Sequence, residues 1–427
     1  MPTILKKYWT KIKMIRNLDG PFETPKDSKP RILMFAPYSF PPVCAESITA
    51  SKFIYAILKK GWTIDVIAFP GATEWYPRDQ VEQWSTVGQS IHFPLLSRLQ
   101  VFGLKLDSVQ WILKAILLGR KLLSVNKYDM ILSRATPLFG HLPALVVQRK
   151  AKIPWIANWS DPLPCDKAPP PYGHGPDTKL GIFRNTYLNL VSKYAHCHTF
   201  PSERLRQYYR LYLPHAHRKG WVVPHIALSD FQTNTIMNTE KFIIGYSGSL
   251  TFRSVDILFK ALSRLSAMVG NKIFLDFIVH NHLEISDKTH QYGVASLVTV
   301  NSNKNYHATQ VAMRDASVLL IIEAQCDEGI YLPSKVSDIV QTGKPILALS
   351  PREGVLNDLI TQHGGGMVVD NQSVDAVMNA LESLFKAWQR GYLQEKYGSR
   401  HLMTIFGEDA VVEILGDVVD CALKRTK

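Results

Sequence analysis

The chain has 427 residues, 46% of them hydrophobic and 20% charged, which is the composition of a folded globular protein and excludes a disordered or fibrous one. Its length suffices for two domains of ordinary size. The formal net charge of +13 favours anionic partners such as phosphates, nucleic acid or an anionic bilayer surface, without choosing among them.

The five cysteines are scattered along the chain and include no C-x-x-C pair. This pattern argues against a zinc site or a disulfide framework and for reduced thiols in a cytosol. No apolar run approaches the roughly 18 residues that a membrane span needs, and the N-terminus lacks the apolar core of a secretory signal. We therefore expect a cytoplasmic protein without a metal centre or a resident cofactor.

Residues 1–30 precede the first predicted strand and form a basic N-terminal extension. Basic residues interleave here with apolar ones, as in an amphipathic helix lying on an anionic membrane. A solvated tail, or a helix docked on the body, fits the same pattern. The first alternative predicts a peripheral position on the inner face of the cell membrane.

The N-terminal half begins with a βαβ unit. Residues 31–37 form a continuous apolar run typical of a buried strand, residues 45–60 a helix that Gly61 ends, and residues 62–69 the next strand. This spacing predicts a parallel sheet. The chain has no G-x-G-x-x-G, so the dinucleotide-binding fingerprint is missing.

The same alternation continues to residue 226. Further strands are predicted at 90–97, 128–133, 153–160, 196–200 and 221–224, with helices at 108–125 and 179–194. The Leu- and Ile-rich helix 108–125, with its basic outer face, either covers the sheet or makes a second membrane contact. Residues 162–177 are rich in Pro and Gly and predict a loop, for which a lid or acceptor loop is one interpretation.

Residues 227–240 are polar and predict an interdomain linker, after which α/β alternation restarts in a domain of residues 241–405. Its strands are predicted at 242–247, 273–279, 297–300, 317–322, 345–350 and 367–369, and helices at 254–268 and 373–390. A last helix over 407–424 lies in the C-terminal segment 406–427.

Residues 323–345 carry the strongest functional signal. A buried strand is followed by a polar loop and a short helix opening near Ser334, whose hydroxyl suits a cap, and Gly343 provides the left-handed stop. A helix that opens beyond a strand's carboxyl end points free amides at the crevice where α/β sheets bind ligands. Lys335 adds a positive charge there, so we expect a phosphate ligand, namely a nucleotide diphosphate.

This stretch resembles the nucleotide-sugar site of glycosyltransferase family four, in which Glu, seven residues and Glu precede a helix ending in Gly-x-Pro-[VI]. The ending Thr342-Gly-Lys-Pro-Ile346 matches; Asp338 takes the place of the second Glu and Ile330 that of the first. The segments Tyr246-Ser-Gly-Ser-Leu250 and His198-Thr-Phe-Pro-Ser-Glu203 are also similar to the family's pattern. The resemblance spans roughly residues 31–420 and is to a divergent branch.

The resemblance implies the GT-B architecture, two Rossmann-like parallel-sheet domains facing each other across a cleft. The N-terminal domain lies on the acceptor side, and the last helix crosses back to it. It implies a metal-independent enzyme that moves a sugar from a nucleotide donor to a saccharide or lipid-linked acceptor with retention, as in polysaccharide biosynthesis. The donor-binding candidates are Gly248, Ser249, Arg253, Glu328, Leu332, Pro333, Ser334, Lys335 and Asp338. The acceptor-side candidates are Pro42, Glu46, Arg134 and Asp161, and the catalytic candidates are Asp161, Arg253 and Lys335.

Three other functions remain open. Since the first Glu is lost and Pro41-Pro42 replaces the family's Gly-Gly, a non-catalytic protein that binds nucleotide sugars is possible, as is a GT-B epimerase acting on the nucleotide sugar. A nucleic-acid binder rests on charge alone. Because basic and aromatic residues are spread along the chain, we expect no nucleic-acid partner.

Overall fold

The structure, a computed structural model, describes residues 29–70, 84–95, 100–101, 104–105, 107–231, 240–302 and 304–425. The predicted amphipathic helix of the N-terminal extension, part of the predicted strand 90–97 and most of the linker lie outside these ranges. The described chain contains two parallel sheets, each covered by helices on both faces.

The first sheet is built from strands in the N-terminal half. The strands are β1 (Arg31–Phe35), β2 (Thr63–Ile67), β3 (Ile91–His92), the separate hairpin pair β4 (Gln100–Val101) and β5 (Leu104–Lys105), β6 (Met130–Ala135), β7 (Trp155–Trp159), β8 (Cys197–Phe200) and β9 (Gly220–Val222). Their described order in the sheet is β3-β2-β1-β6-β7-β8-β9, and all neighbours pair in parallel.

Helices connect these strands and cover both faces. They are α1 (Ala45–Lys59), α2 (Ser85–Gln89), α3 (Asp107–Val125), α4 (His141–Ala151), α5 (Ile182–Tyr194), α6 (Glu203–Tyr209) and α7 (Pro214–Arg218). The apolar strands are buried on both sides, which is why they read as continuous Ile-, Leu- and Val-rich runs rather than as alternating patterns.

The second sheet is built after residue 241. Its strands, with the short bridge pair β14/β16, are β10 (Phe242–Ser247), β11 (Ile273–Val279), β12 (Val298–Ser302), β13 (Val318–Ile322), β14 (Glu328–Gly329), β15 (Ile346–Ser350), β16 (Glu353–Gly354) and β17 (Gly366–Asp370). The order β12-β11-β10-β13-β15-β17 is again parallel throughout.

Helices α8 to α16 connect the strands of this half and pack on its sheet or, in the case of the last helix, on the first domain. They are α8 (Asp256–Val269), α9 (His282–Gln291), α10 (Tyr306–Ala312), α11 (Lys335–Thr342), α12 (Val355–His363), α13 (Val374–Gln389), α14 (Leu393–Tyr397), α15 (Met403–Phe406) and α16 (Glu408–Lys424). Two Rossmann-like parallel-sheet domains confirm the predicted α/β fold of GT-B type.

The last helix, α16, packs against the first domain. Val411, Leu415 and Val418 join the core formed by β1, β2 and α1, and Ala227 pairs with Gly407 just before the helix begins. Ile226, Ala227 and Leu228 are buried: Ile226 and Leu228 join the core of the first domain, and Ala227 joins a core of the second.

Most predicted boundaries agree with the structure to within two residues, and the capping residues explain why. Gly343 adopts φ +72° and ends α11, and Ser202 accepts a hydrogen bond from the Leu205 amide at the start of α6. The predicted cap at Ser334 is wrong: Ser334 has helical dihedrals and its side chain makes no capping bond, because the turn begins earlier, with the Val336 amide bonded to the Pro333 carbonyl.

Candidate active site

The carboxyl end of β10 and the start of α11 meet at Gly248. Gly248 has φ +113°, and a Cβ there would lie 2.8 Å from Cε and 2.9 Å from Nζ of Lys335. Any larger residue would therefore be strained and would displace the lysine. The missing side chain lets Lys335 reach the edge of the sheet, where its Nζ lies 4.1 Å from the centroid of the Tyr246 ring.

Lys335 is a cation in an unfavourable environment. Burial first, and the nearby Arg253 second, lower its pKa to about 7, although Asp338 opposes the shift. Within the described part of the chain, Lys335 forms no ion pair with a carboxylate. A lysine held in this way gains a full charge when an anion binds beside it.

Arg253 lies next to Lys335 on the loop between β10 and α8. Its Nη1 donates to the Ser249 carbonyl at 3.2 Å, and the Tyr246 hydroxyl donates to the same carbonyl at 2.8 Å. The Arg253 Nε is buried and has no hydrogen-bond partner among the described residues. A buried guanidinium N–H without an acceptor costs free energy, and an oxyanion is a suitable acceptor for it.

A cavity of about 680 Å³ opens beside Arg253. It lies at the carboxyl ends of β10, β11 and β13, where parallel α/β sheets bind ligands, and its volume is within the usual range of small-molecule sites. It is lined by Pro171, Ser249, Leu250, Thr251, Phe252, Arg253, Ser254, Val255, His280, Asn281, Glu284, Ile285, Lys288 and Gln325.

Glu323 follows β13 directly and is almost completely buried. Burial raises its pKa to about 7, against the effect of a hydrogen bond from the Ser350 hydroxyl, 2.5 Å from Oε2, and of Arg253. The carboxyl therefore lies close enough to Arg253 to be influenced by its charge. Glu323 belongs to the polar loop predicted from the sequence, but it was not among the candidate site residues.

The Pro-rich loop of residues 162–177 belongs to the first domain but reaches the second. The Tyr172 ring packs edge-on against Tyr331, with 4.9 Å between centroids, and against Phe252 at 5.6 Å. Backbone hydrogen bonds within the loop, from His174 to Asp166 and from Gly175 to Ala168, order it. The loop is therefore an ordered bridge at the edge of the cavity, which Pro171 lines.

The acceptor-side candidates cluster at the carboxyl ends of β6 and β7. The Arg134 Nε donates to Glu46 Oε1 at 2.8 Å, and Nη2 donates to the Thr49 and Ser160 hydroxyls at 3.2 and 3.3 Å. Asp161 Oδ2 accepts from the Thr136 hydroxyl at 3.3 Å. The cluster thus combines one cation with two carboxyl groups.

Burial acts on the pKa of both carboxyl groups of this cluster. Burial raises the pKa of Asp161, opposed by Thr136 and Arg134, and raises the pKa of Glu46, opposed chiefly by Arg134. Thr136, which orients Asp161, has φ +118°, a conformation that costs about 1–3 kcal/mol and is concentrated at functional sites. Burial chiefly, and Asp161 among the nearby groups, raise the pKa of Tyr331 in the second domain.

Two donor-side candidates are bonded to the other domain. The Asp338 carboxylate accepts from the buried Lys52 ammonium of α1 and, at 2.7 Å, from the Tyr306 hydroxyl. The Glu328 carboxylate is 2.6 Å from Nη1 of Arg204, which also pairs with Asp358. These contacts hold the domains together; contacts of either residue with a donor stay predictions.

The remaining candidates lie beside the cavity, at the contact between the domains or in turns. Ser249 lines the cavity, the Leu332 carbonyl accepts from His225 of the first domain at 3.2 Å, and Pro333 and Ser334 precede α11. Pro42 is buried in the turn before α1. The structure therefore brings Gly248, Arg253 and Lys335 together on one side, and Glu46, Arg134 and Asp161 on the other.

Sequence reasoning missed Tyr172, Tyr246 and Lys52. Tyr246 lies near the carboxyl end of a predicted strand, a position from which a role in the site could have been predicted. The positions of Tyr172 and Lys52 depend on how one domain packs against the other. A search of the described residues finds no group of His, Cys, Asp and Glu that could hold a metal ion.

No protein-family model and no curated protein matches the chain at a significant level. Solved structures do match. A sucrose-phosphate synthase from Thermosynechococcus elongatus has a TM-score of 0.66 and 13% identity, covering 92% of this chain and 98% of the other.

Two further structures cover the chain equally well. Anabaena Alr3699/HepE, solved in complex with UDP, has a TM-score of 0.64 and 12% identity over 91% of this chain and 99% of its own. A glycosyltransferase from Rickettsia africae has a TM-score of 0.64 and 13% identity over 93% and 99%. At these identities the matches show the fold, a GT-B architecture spanning both domains.

Proposed function

We propose that the protein is a glycosyltransferase that moves a sugar from a nucleoside diphosphate donor to a hydroxyl of a saccharide or lipid-linked acceptor. The observation that carries this proposal is the convergence of Arg253 and Lys335, without carboxylate partners among the described residues, at the carboxyl edge of the second sheet. The resemblance to family four supports retention at the anomeric carbon, and the fold of HepE supports UDP as the first nucleotide to test.

The leaving group sets the chemical requirement. As the bond between the sugar and the diphosphate breaks, negative charge grows on the diphosphate oxygens. Arg253 offers planar N–H donors and Lys335 a point charge. Fixed cations in a site with little water stabilise such charge by several kcal/mol.

The acceptor occupies the opposite wall in this proposal. The Asp161 carboxyl, oriented by Thr136, accepts a hydrogen bond from the reacting hydroxyl, and Glu46 with Arg134 holds the neighbouring part of the acceptor. Tyr172 and Tyr331 close the gap between the walls. Asp338 and Glu328 contact the donor's ribose and sugar only if their interdomain bonds rearrange.

The first experiment measures thermal stabilisation by UDP, GDP, ADP and dTDP. A nucleotide that binds only the folded protein raises the melting temperature. We expect one of the four to do so, and Arg253→Ala with Lys335→Ala to remove the effect. The control is Lys272→Ala with Arg314→Ala, which removes two exposed positive charges from the same domain away from the cavity.

A second experiment separates the enzyme from its alternatives. Incubation with the sugar form of the nucleotide that binds, and with candidate acceptors, should release nucleoside diphosphate together with a glycosylated product. An epimerase would change the donor sugar and release no acceptor product, and a binding protein would retain the donor unchanged. Stabilisation by none of the four nucleotides would contradict the proposal.

A further inference from the structure

The outer face of helices α3 and α5 carries large apolar side chains in contact with solvent. On α5, Phe183 is 88% exposed and Ile182 is 76% exposed; on α3, Leu117 is 63% exposed, and Val109 and Leu113 are more than half exposed. Scattered exposed apolar residues are ordinary, but a group of them on two helices of one layer indicates an interaction surface.

These residues lie in one layer of the first domain. Helix α4 packs between α3 and α5, so the three helices cover the same face of the sheet. On α3, Val109, Leu113 and Leu117 are four residues apart and therefore form a stripe along one side of the helix. The buried side of the same helix, which includes Trp111, Ala115 and Leu122, packs on the sheet.

The topology directs this surface toward the cleft. α5 returns from the carboxyl end of β7 to the amino end of β8, and α3 leads to the amino end of β6. In a parallel sheet such helices begin at the carboxyl edge of the strands. Ile182, Phe183 and Val109 are therefore at the cleft end of their helices, on the side where Arg134 and Asp161 end their strands.

Basic residues flank the apolar group. Arg120 and Lys121 follow the stripe on α3, Arg149 and Lys150 end α4, and Lys179 precedes α5; all five are exposed. Acidic residues are sparse on these helices: Asp107 begins α3, and Asp166 in the preceding loop pairs with Arg184. Apolar side chains within a basic rim are complementary to a bilayer that carries anionic headgroups.

We propose that the face formed by Val109, Leu113, Leu117, Ile182 and Phe183, with its basic rim, docks the protein on an anionic lipid bilayer. None of the described helices is long and apolar enough to cross a membrane, so the contact is interfacial. Docking by this face places the acceptor wall beside the bilayer. That the acceptor carries a lipid rests on the proposed glycosyl transfer; the surface itself rests on the residues above.

The test is sedimentation of the full-length protein with vesicles of phosphatidylcholine, alone or mixed with phosphatidylglycerol. We expect binding to the mixed vesicles that weakens with salt. Ile182→Ser with Phe183→Ser should reduce the partition coefficient at least about tenfold, because two large apolar side chains are removed from the contact. Arg120→Gln with Lys121→Gln should weaken binding less and reduce its salt dependence.

The control is Met268→Ser with Val311→Ser, which removes exposed apolar side chains from the second domain and should leave binding unchanged. Absence of wild-type binding, or equal binding by the Ile182/Phe183 variant, would overturn the proposal; the second result would assign the contact to another part of the chain. A concentration-dependent dimer in light scattering, lost in the same variant, would show instead that this face binds a second copy.

Nucleotide stabilisation of each variant is measured in parallel. Because the surface is separate from the cavity, we expect the nucleotide effect to be intact in the variants. Failure of vesicle binding with intact nucleotide binding would refute only the docking surface. If the wild-type protein binds vesicles but none of the nucleotides, only the proposed glycosyl transfer is refuted.

Discussion

Each sheet carries arginine near the carboxyl edge, yet the two arginines have different surroundings. Arg134 in the first domain bonds to Glu46, Thr49 and Ser160, and its side chain is 6% exposed. Arg253 in the second domain donates to the Ser249 carbonyl, and its Nε has no partner among the described residues.

The comparison shows that position at a strand end does not by itself make an arginine a phosphate ligand. What matters is whether protein groups already accept its N–H donors. Arg134 pairs with Glu46 and donates to the Thr49 and Ser160 hydroxyls, so its N–H groups already have partners; its predicted role as an anchor for an acceptor phosphate stays a prediction. Arg253 lines the cavity with an Nε that has no partner among the described residues, and the neighbouring Lys335 has a lowered pKa; we propose that a diphosphate is the anion that both side chains bind.

The largest predicted effect is the loss of stability on substitution of Arg134. Arg134→Met leaves the buried Glu46 without its cation, and breaking a buried pair in this way costs about 3–5 kcal/mol. Chemical denaturation should show a loss of that size. Arg134→Met combined with Glu46→Leu should recover most of it, and if the double variant is no more stable than the single one, the pair is not what stabilises this wall.

Arg253→Met and Lys335→Met should affect binding rather than stability. Each removes a charged hydrogen-bond donor to the diphosphate, worth about 1.5–3 kcal/mol, or roughly 10- to 150-fold in Kd for the nucleotide that binds. Isothermal titration measures this change. Because burial makes charged Lys335 unfavourable in the folded state, Lys335→Met should match or exceed the wild-type melting temperature, most clearly below pH 7. A strongly destabilised variant would indicate that Lys335 is structural.

The pH dependence of nucleotide binding should be smaller in size but specific in sign. The Lys335 ammonium is largely deprotonated above its pKa of about 7 in the free protein, and a bound diphosphate raises that pKa. Binding therefore takes up a proton above pH 7, and affinity falls by up to about tenfold per pH unit as the pH rises. Lys335→Met should abolish this slope; a slope that persists in the variant assigns it to another group.

The smallest effect is expected at the bridging loop. Tyr172→Ala removes the ring that packs on Phe252 and Tyr331, contacts worth about 0.5–1.5 kcal/mol each beyond their buried area. Because the ring joins the domains rather than the phosphates, KM for the donor should rise about tenfold while the Kd for the nucleoside diphosphate alone changes less. Tyr172→Phe, which keeps the ring, should behave as wild type, and equal losses in both variants would point to the hydroxyl instead.

The fold could be predicted from the sequence because each strand has a recognisable local sequence pattern. β1, β13 and β15 are short apolar runs bounded by Pro, Gly or polar residues, and buried parallel strands require such runs. Gly248 and Arg253 were predictable because they follow the end of β10, and Lys335 because it begins the helix that follows β13.

What the sequence did not show depends on contacts between the domains. Lys52 reads as a surface lysine of α1, but it is buried against Asp338. Tyr172 lies in a Pro-rich loop, and its partners Phe252 and Tyr331 are 80 and 159 residues further along the chain. The pairing of Arg134 with Glu46 likewise requires α1 and β6 to be adjacent, which local patterns do not specify.

The most direct test of the central claim is a crystal structure of the protein with the nucleoside diphosphate that stabilises it. The account predicts diphosphate oxygens within about 3 Å of the Arg253 guanidinium and the Lys335 ammonium, beside Gly248 and the start of α11. A diphosphate bound instead at Arg134, or on a surface away from the gap between the two sheets, would contradict it.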